Sequence, residues 1–224
     1  MEGKKLKEVN LGVKRGVFRM DDPLAEHKDK EFESLRKKIK ERDNNTCFYC
    51  QFKSNKFQEV HHIDDNHSNN SEDNLTTVCP LCHSCKHIGL AGLNEKGFLI
   101  KYPGVNQVEI NILTKLLWIG KDLSEDDNQM RSLCDMIIGE FEKLRVEADK
   151  ELTSDPAIFS TILLRMSDEE YRERQKRLKG FLLVHNELAY KQQIRFWSEN
   201  NFKGLPISDW KKMAKNQITE KLKV

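Results

Sequence analysis

Hydrophobic positions along this 224-residue chain recur mostly three and four apart, the period of a helix that buries one face. Residues 30 to 42 place Phe32, Leu35 and Ile39 on one side, with Arg36, Lys37, Lys38, Lys40 and Arg42 mostly elsewhere, and Asp43-Asn44-Asn45 ends that helix. Beyond Asn106, the residues Val108, Ile112, Leu116 and Ile119 share a face. Ser124 with Asp127 reads as a capping box for a helix through about Ala148. Asp155-Pro156 starts another, with proline early in the first turn, where its missing N–H costs little. Ser167 with Glu170 caps a third through about Leu178, and residues 186 to 201 form a fourth. Gly204 and Pro206 then break the chain, and Ser208 caps a final basic helix.

Strand patterns are fewer. Residues 9 to 20 alternate loosely around two glycines, which fits a strand or hairpin. Residues 57 to 63 read as a strand carrying Val60, His61 and His62, followed by a polar loop over 64 to 74 and a short β-prone stretch, Leu75 to Val78. A helix should begin at Cys79 and end near Gly89. Residues 97 to 102 look hairpin-like, and everything after them reads as helical. The fold class is therefore α+β, mainly helical. The expected units are an N-terminal extension with a hairpin (1–28), a cysteine-rich module (29–104) and a helical region packing on it (105–224).

Charge adds little: charged residues make up 33% of the chain, but the formal net charge is only +2, too small for strong long-range steering. No stretch approaches the roughly 20 apolar residues that cross a bilayer, and the N-terminus has no apolar signal core. A cytoplasmic protein is expected. In that setting the six cysteines argue for metal rather than disulfides. Cys47 and Cys50 form one C-x-x-C pair, and Cys79 and Cys82 form a second, with 28 residues between the pairs. Two such knuckles supply four thiolates to a tetrahedral ion and leave no open position, which makes a structural zinc site. Cys85 also stands at x-x spacing from Cys82 and is an alternative ligand. Cys134 falls on the apolar side of its helix and reads as a small core residue.

Between the knuckles lie Val60-His61-His62-Ile63 and Asn74-Leu75, and His83 follows Cys82. This order resembles the HNH endonuclease signature over about 40 residues, which implies a zinc-stapled ββα-metal fold. The resemblance implies that His62 is the general base that activates water against a phosphodiester. It implies that Asn74 holds the imidazole or its loop, and that His61 and His83 bind a divalent ion such as Mg²⁺. A neutral imidazole suits that task near pH 7. Since neighbouring strand residues point to opposite faces, one of His61 and His62 should sit at a bend or bulge. Against cleavage of DNA, residues 47 to 83 contain two Lys and five Asp or Glu, where phosphate binding calls for positive surface.

A second resemblance covers the chain end to end. Thr153-Ser154-Asp155-Pro156-Ala157-Ile158-Phe159 is similar to a segment of the IcmJ/DotN family of the Dot/Icm type IVB secretion system. So are Ile39-Lys40-Glu41-Arg42-Asp43 with Thr46-Cys47-x-x-Cys50, and Asn69-Asn70 with Asn74-Leu75-x-Thr77-Val78-Cys79. The resemblance implies an HNH-derived zinc fold in non-enzymatic use: a cytosolic subunit that binds the coupling ATPase DotL beside DotM, at the inner membrane through those partners, and helps recruit effectors for export. In that family the HNH histidines are largely replaced, whereas here His61, His62, Asn74 and His83 all stand. Two readings follow, a secretion adaptor and a metal-dependent DNA endonuclease. Under the first, Trp197, Phe202 and Trp210 on the C-terminal helices are candidate contact residues, against the alternative that they are core.

Overall fold

The computed structural model describes residues 6–15, 25–66, 69–124, 127–204, 206 and 209, with the side chains of 25–31 excepted. The expected final helix and Trp210 lie outside them.

Helix α1 (Ala25–Arg42) is followed by the first cysteine knuckle, then β1 (Glu59–His62), a 3-10 turn (Glu72–Asn74) and β2 (Leu75–Val78). β1 and β2 pair antiparallel, with His61 opposite Thr76 and His62 opposite Leu75. The ribbon leads into α2 (Pro80–Lys86) and α3 (Ile88–Leu93). Then come β3 (Gly97–Lys101), α4 (Gln107–Leu123), α5 (Asn128–Glu151) and α6 (Pro156–Arg165). Among the described residues α7 (Asp168–Arg172), α8 (Arg174–Arg177), β4 (Phe181–His185) and α9 (Lys191–Asn200) follow. Among the described residues no helix is long and apolar enough to cross a membrane.

The α+β, mainly helical class agrees with this architecture, and several local expectations need correction. The strand at 97 to 101 is not half of a local hairpin. It pairs antiparallel with β4, from Gly97 opposite His185 to Lys101 opposite Phe181. β4 was expected to be helical. Its five residues are all buried, and a short apolar run buried on both faces has no period that separates strand from helix. Residues 6 to 15 form no strand. Their backbone instead bonds to neighbours: Gly12 N–H donates to the Cys85 carbonyl (2.9 Å), and Ile88 N–H donates to that of Gly12 (3.0 Å). Ser124 caps the end of α4 rather than the start of α5, while Asp127 alone accepts from Met130 N–H. The helix expected from Ser167 breaks at Glu173 into two short ones, and the one expected from Cys79 breaks at His87. The boxes at Asn106/Glu109 and Ser167/Glu170 form, and Asp155 caps α6.

The core has three parts. The cysteine knuckles merge with Leu99, Val108, Trp118, Phe159, Leu183 and Trp197 in one cluster. β3, β4, α4 and α5 close over a second, which holds Cys134. Ile39 of α1 packs against Val60 and Leu75, with Phe32 and Leu35 beside them. α3 and α6 approach through small residues: a Cβ on Gly92 would come within 2.3 Å of the Ala157 nitrogen. Gly180, at φ +85°, turns the chain into β4 in a conformation that glycine adopts without steric cost.

Asp43 locks the ribbon to α1. One carboxylate oxygen accepts Thr77 N–H (2.8 Å) and the other accepts Arg42 Nε–H (2.8 Å), while Arg42 also donates to the carbonyls of Glu72 and Leu75, both at 2.7 Å. Burial alone would raise the Asp43 pKa, but hydrogen bonds from Arg42 and Thr77 outweigh it and hold the carboxyl below its usual range. A lowered folded-state pKa adds stability above the ordinary value of about 3.9, which is lost as pH falls through the folded value. Asp43→Ala should therefore cost about 2 kcal/mol at pH 7, and the difference from wild type should shrink in urea melts at acid pH. An equal loss at both pH values would show that the carboxylate charge is not the source.

Candidate metal centres

The first knuckle is a tight loop. Cys47 N–H donates to the Phe52 carbonyl (2.9 Å), Gln51 N–H donates back to Cys47 (3.0 Å), and Phe48 N–H reaches Thr77 of β2 (2.8 Å). Gln51 supplies the turn with a positive φ of 59°. The second knuckle uses the strand-to-helix junction, where Cys79 follows β2 in extended conformation as the cap of α2, Pro80 opens that helix and Cys82 falls in its first turn. The two loops bring Cys47, Cys50, Cys79 and Cys82 together, all buried, with sulfurs within 4.8 Å of one another. Cys50 and Cys79 sulfurs are 3.6 Å apart.

Four sulfurs about 2.3 Å from a central zinc would sit about 3.8 Å apart, so the cluster fits a tetrahedral ion. The thiols are all free. Hydrogen bonds from Cys47, Cys79 and Cys82 hold the Cys50 thiol well below its ordinary range, while the same crowding pushes Cys79 and Cys82 well above theirs. Thiols packed this closely need a cation before all four can ionise. Cys85 stands apart from the group. Its sulfur contacts the Leu81 carbonyl (3.3 Å), and burial pushes its pKa up to about 12.

A second cluster lies on the other side of α2. His61, His83 and His87 place ring nitrogens within 4.8 Å of one another, with His83 Nε2 3.1 Å from His87 Nε2. Glu59 bonds the far nitrogen of His83, Nδ1, which turns its Nε2 toward the cluster in the way outer carboxylates orient metal-binding imidazoles. Burial pushes the His61 pKa down to about 2, so the ring is neutral. Its Nε2 is buried without a hydrogen-bond partner and lies 3.4 Å from an Asp65 oxygen. Three imidazole nitrogens suit a zinc-like ion better than Mg²⁺, which prefers oxygen.

Residues 47–89 match the HNH endonuclease family. The Type 4 apparatus protein DotN of Legionella pneumophila is 30% identical over 197 residues, which is 85% of this chain and 89% of that protein. The chain belongs to the DotN family.

Within this DotN-family chain, the histidines that sequence reasoning singled out divide between two faces of the ribbon. β1 is regular, without the expected bulge, because both faces are covered: α1 packs on one side and α2 on the other. His61 joins the α2 cluster. His62 is 2% exposed, lies under the Phe32 ring of α1 at 5.0 Å and bonds Asn70 through Nε2 (3.0 Å). Asn74 does not reach the imidazole but ties the loop, donating to Asp64 Oδ1 (2.8 Å) and the Asn69 carbonyl (2.9 Å). His87 was not among the residues expected to hold an ion. Its signal was the four-residue spacing from His83, which α2 and its end bring to one side. Trp197 is fully buried against Phe52, and Phe202 stacks on that same ring, so neither offers a free contact surface.

Two measurements check the centres. Protein purified without added metal should carry about one tightly held zinc, and added Zn²⁺ should fill a weaker second site in calorimetry that disappears in His87→Ala. Cys47→Ser or Cys79→Ser should abolish the module's cooperative melt, whereas Cys134→Ser should cost on the order of 1 kcal/mol. Equal losses in all three would show that the ligands are misassigned.

Proposed function

We propose that the chain is a non-enzymatic subunit of a Dot/Icm type IV secretion apparatus, with zinc as the structural ion of its four-cysteine centre. It binds the coupling ATPase of DotL type beside other coupling-complex subunits. In that position it supports effector export from the cytoplasmic side of the inner membrane.

The observation that carries this reading is the extent of the DotN relationship. It covers 85% of the chain, far beyond the HNH segment at 47–89. The buried state of His62 supports it. A general base must come within hydrogen-bond reach of its water, yet Phe32 lies over this ring, and Asp64, Asp65, Glu59 and Asp73 lie on the ribbon or its loop. The cations beside them are already engaged, Lys38 with Glu72, Lys86 with Asp65 and Arg42 with Asp43, which reduces the positive charge they offer DNA phosphates. An adaptor needs a rigid surface, and the metal with its surrounding core supplies one.

Co-purification with the cytosolic tail of the coupling ATPase from the same genome tests the proposal. The complex should form and persist, weakened only modestly, at high salt. His62→Ala should leave it unchanged and Cys79→Ser should abolish it. Supercoiled plasmid should remain intact with Mg²⁺, Mn²⁺ or Zn²⁺, also in Phe32→Ala, which uncovers His62. Cleavage that is lost in His62→Ala, together with no ATPase complex, would reverse the reading in favour of an HNH endonuclease with His62 and Asn74 at its site.

A further inference from the structure

Lys115 sits midway along α4 and is buried, at 4% exposure. Among the described residues no carboxylate lies within ion-pair distance of it. Its ammonium faces two sulfurs instead, Cys50 at 3.9 Å and Cys79 at 4.0 Å. The Phe52 ring lies 3.7 Å below it and the Trp197 ring 5.4 Å away. One turn earlier on the same face, Asn111 is fully buried and donates through Nδ2 to Cys82 (3.4 Å) and Cys85 (3.6 Å). Its orientation is fixed by Gln107, which donates to Asn111 Oδ1 (2.9 Å) and whose own amide also pairs with Leu183 of β4.

A buried ammonium requires an opposite charge. Four thiolates around a divalent ion carry a net double negative charge, and they are the charge that faces Lys115. We propose that Lys115 and Asn111 form the outer shell of the four-cysteine centre: the ammonium offsets part of its buried negative charge, the amide hydrogen-bonds a ligand sulfur, and together they slow release of the ion. The inference rests on the reading of Cys47, Cys50, Cys79 and Cys82 as ligands of a divalent ion. It makes the centre incomplete without α4, a helix well outside the HNH segment.

Groups that support ligands from outside typically change metal affinity 10- to 100-fold. Zinc transfer to a chromogenic chelator should therefore run about 10-fold faster or more in Lys115→Met, and near the wild-type rate in Lys115→Arg, which keeps the charge. Thr114→Val, at a buried neighbour whose hydroxyl has no hydrogen-bond partner, should leave the rate unchanged. In the cobalt-loaded protein, the thiolate-to-metal absorption of Lys115→Met should move to longer wavelength, because loss of a nearby positive charge raises the sulfur donor level. A purely packing role would lower the melting temperature and move neither readout, which would overturn the proposal. Should Lys115→Met not fold, Asn111→Ala carries the same two readouts through Cys82, and wild-type values there would also overturn it. Wild-type protein that purifies without any divalent ion would instead remove the ligand reading beneath it.

Discussion

The four-sulfur cluster is the contact on which the rest of this fold depends. It joins a loop at 47–50 to the end of β2 and the start of α2 at the centre of one buried cluster. Everything packed around it takes its position from that junction. The Phe52 ring, set by the first knuckle, receives Trp197 and Phe202 from the far end of the chain, and Asn201 donates to the Lys53 carbonyl (2.8 Å). α4 lays Asn111 and Lys115 against the sulfurs. The metal-binding segment and the helical region therefore share one core, and disturbing the knuckles removes a wall from both.

The ribbon that carries the histidines is held from two sides by different physics. On the α1 side the contacts are apolar, with Ile39, Val60 and Leu75 at the centre, and they are locked by Asp43 and Arg42. On the α2 side they are polar, with Glu59, His61, His83 and His87 in one network. A strand alternates its side chains between faces, so covering both faces buried two adjacent histidines without a bulge. A bulge would be needed only if a single face of β1 were covered.

Features set by local chemistry were legible in the sequence, and features set by distant pairing were not. The C-x-x-C pairs, the caps at Asn106, Asp155 and Ser167 and the β1–β2 segments announce themselves within a few residues. The pairing of Gly97–Lys101 with Phe181–His185 joins segments about 80 residues apart in sequence, and nothing near either strand reveals its partner. α1 covering His62 is likewise a tertiary fact: Phe32 reads as a core-facing helical residue, and the pattern does not say what lies beneath it. Lys115 escaped notice for a related reason. A lysine within an apolar helix reads as a side chain on its solvated edge until the sulfurs that face it are in place.

Four standing HNH residues invite an enzymatic interpretation, but their retention has a sufficient structural cause. His61 and His83 belong to one cluster with His87, in which His83 bonds both Glu59 and His87 and His61 is the fully buried member. Removing Glu59 or His87 takes a hydrogen-bond partner from His83, at a cost of roughly 1 kcal/mol each. Asn74 holds the loop that bonds back to β1: Ile63 N–H donates to its carbonyl (2.8 Å), and its side chain spans Asp64 and Asn69. His62 fills the space under Phe32. The Phe32 ring that packs on His62 also covers it, so the contact that holds this imidazole in the ribbon is the same one that buries it.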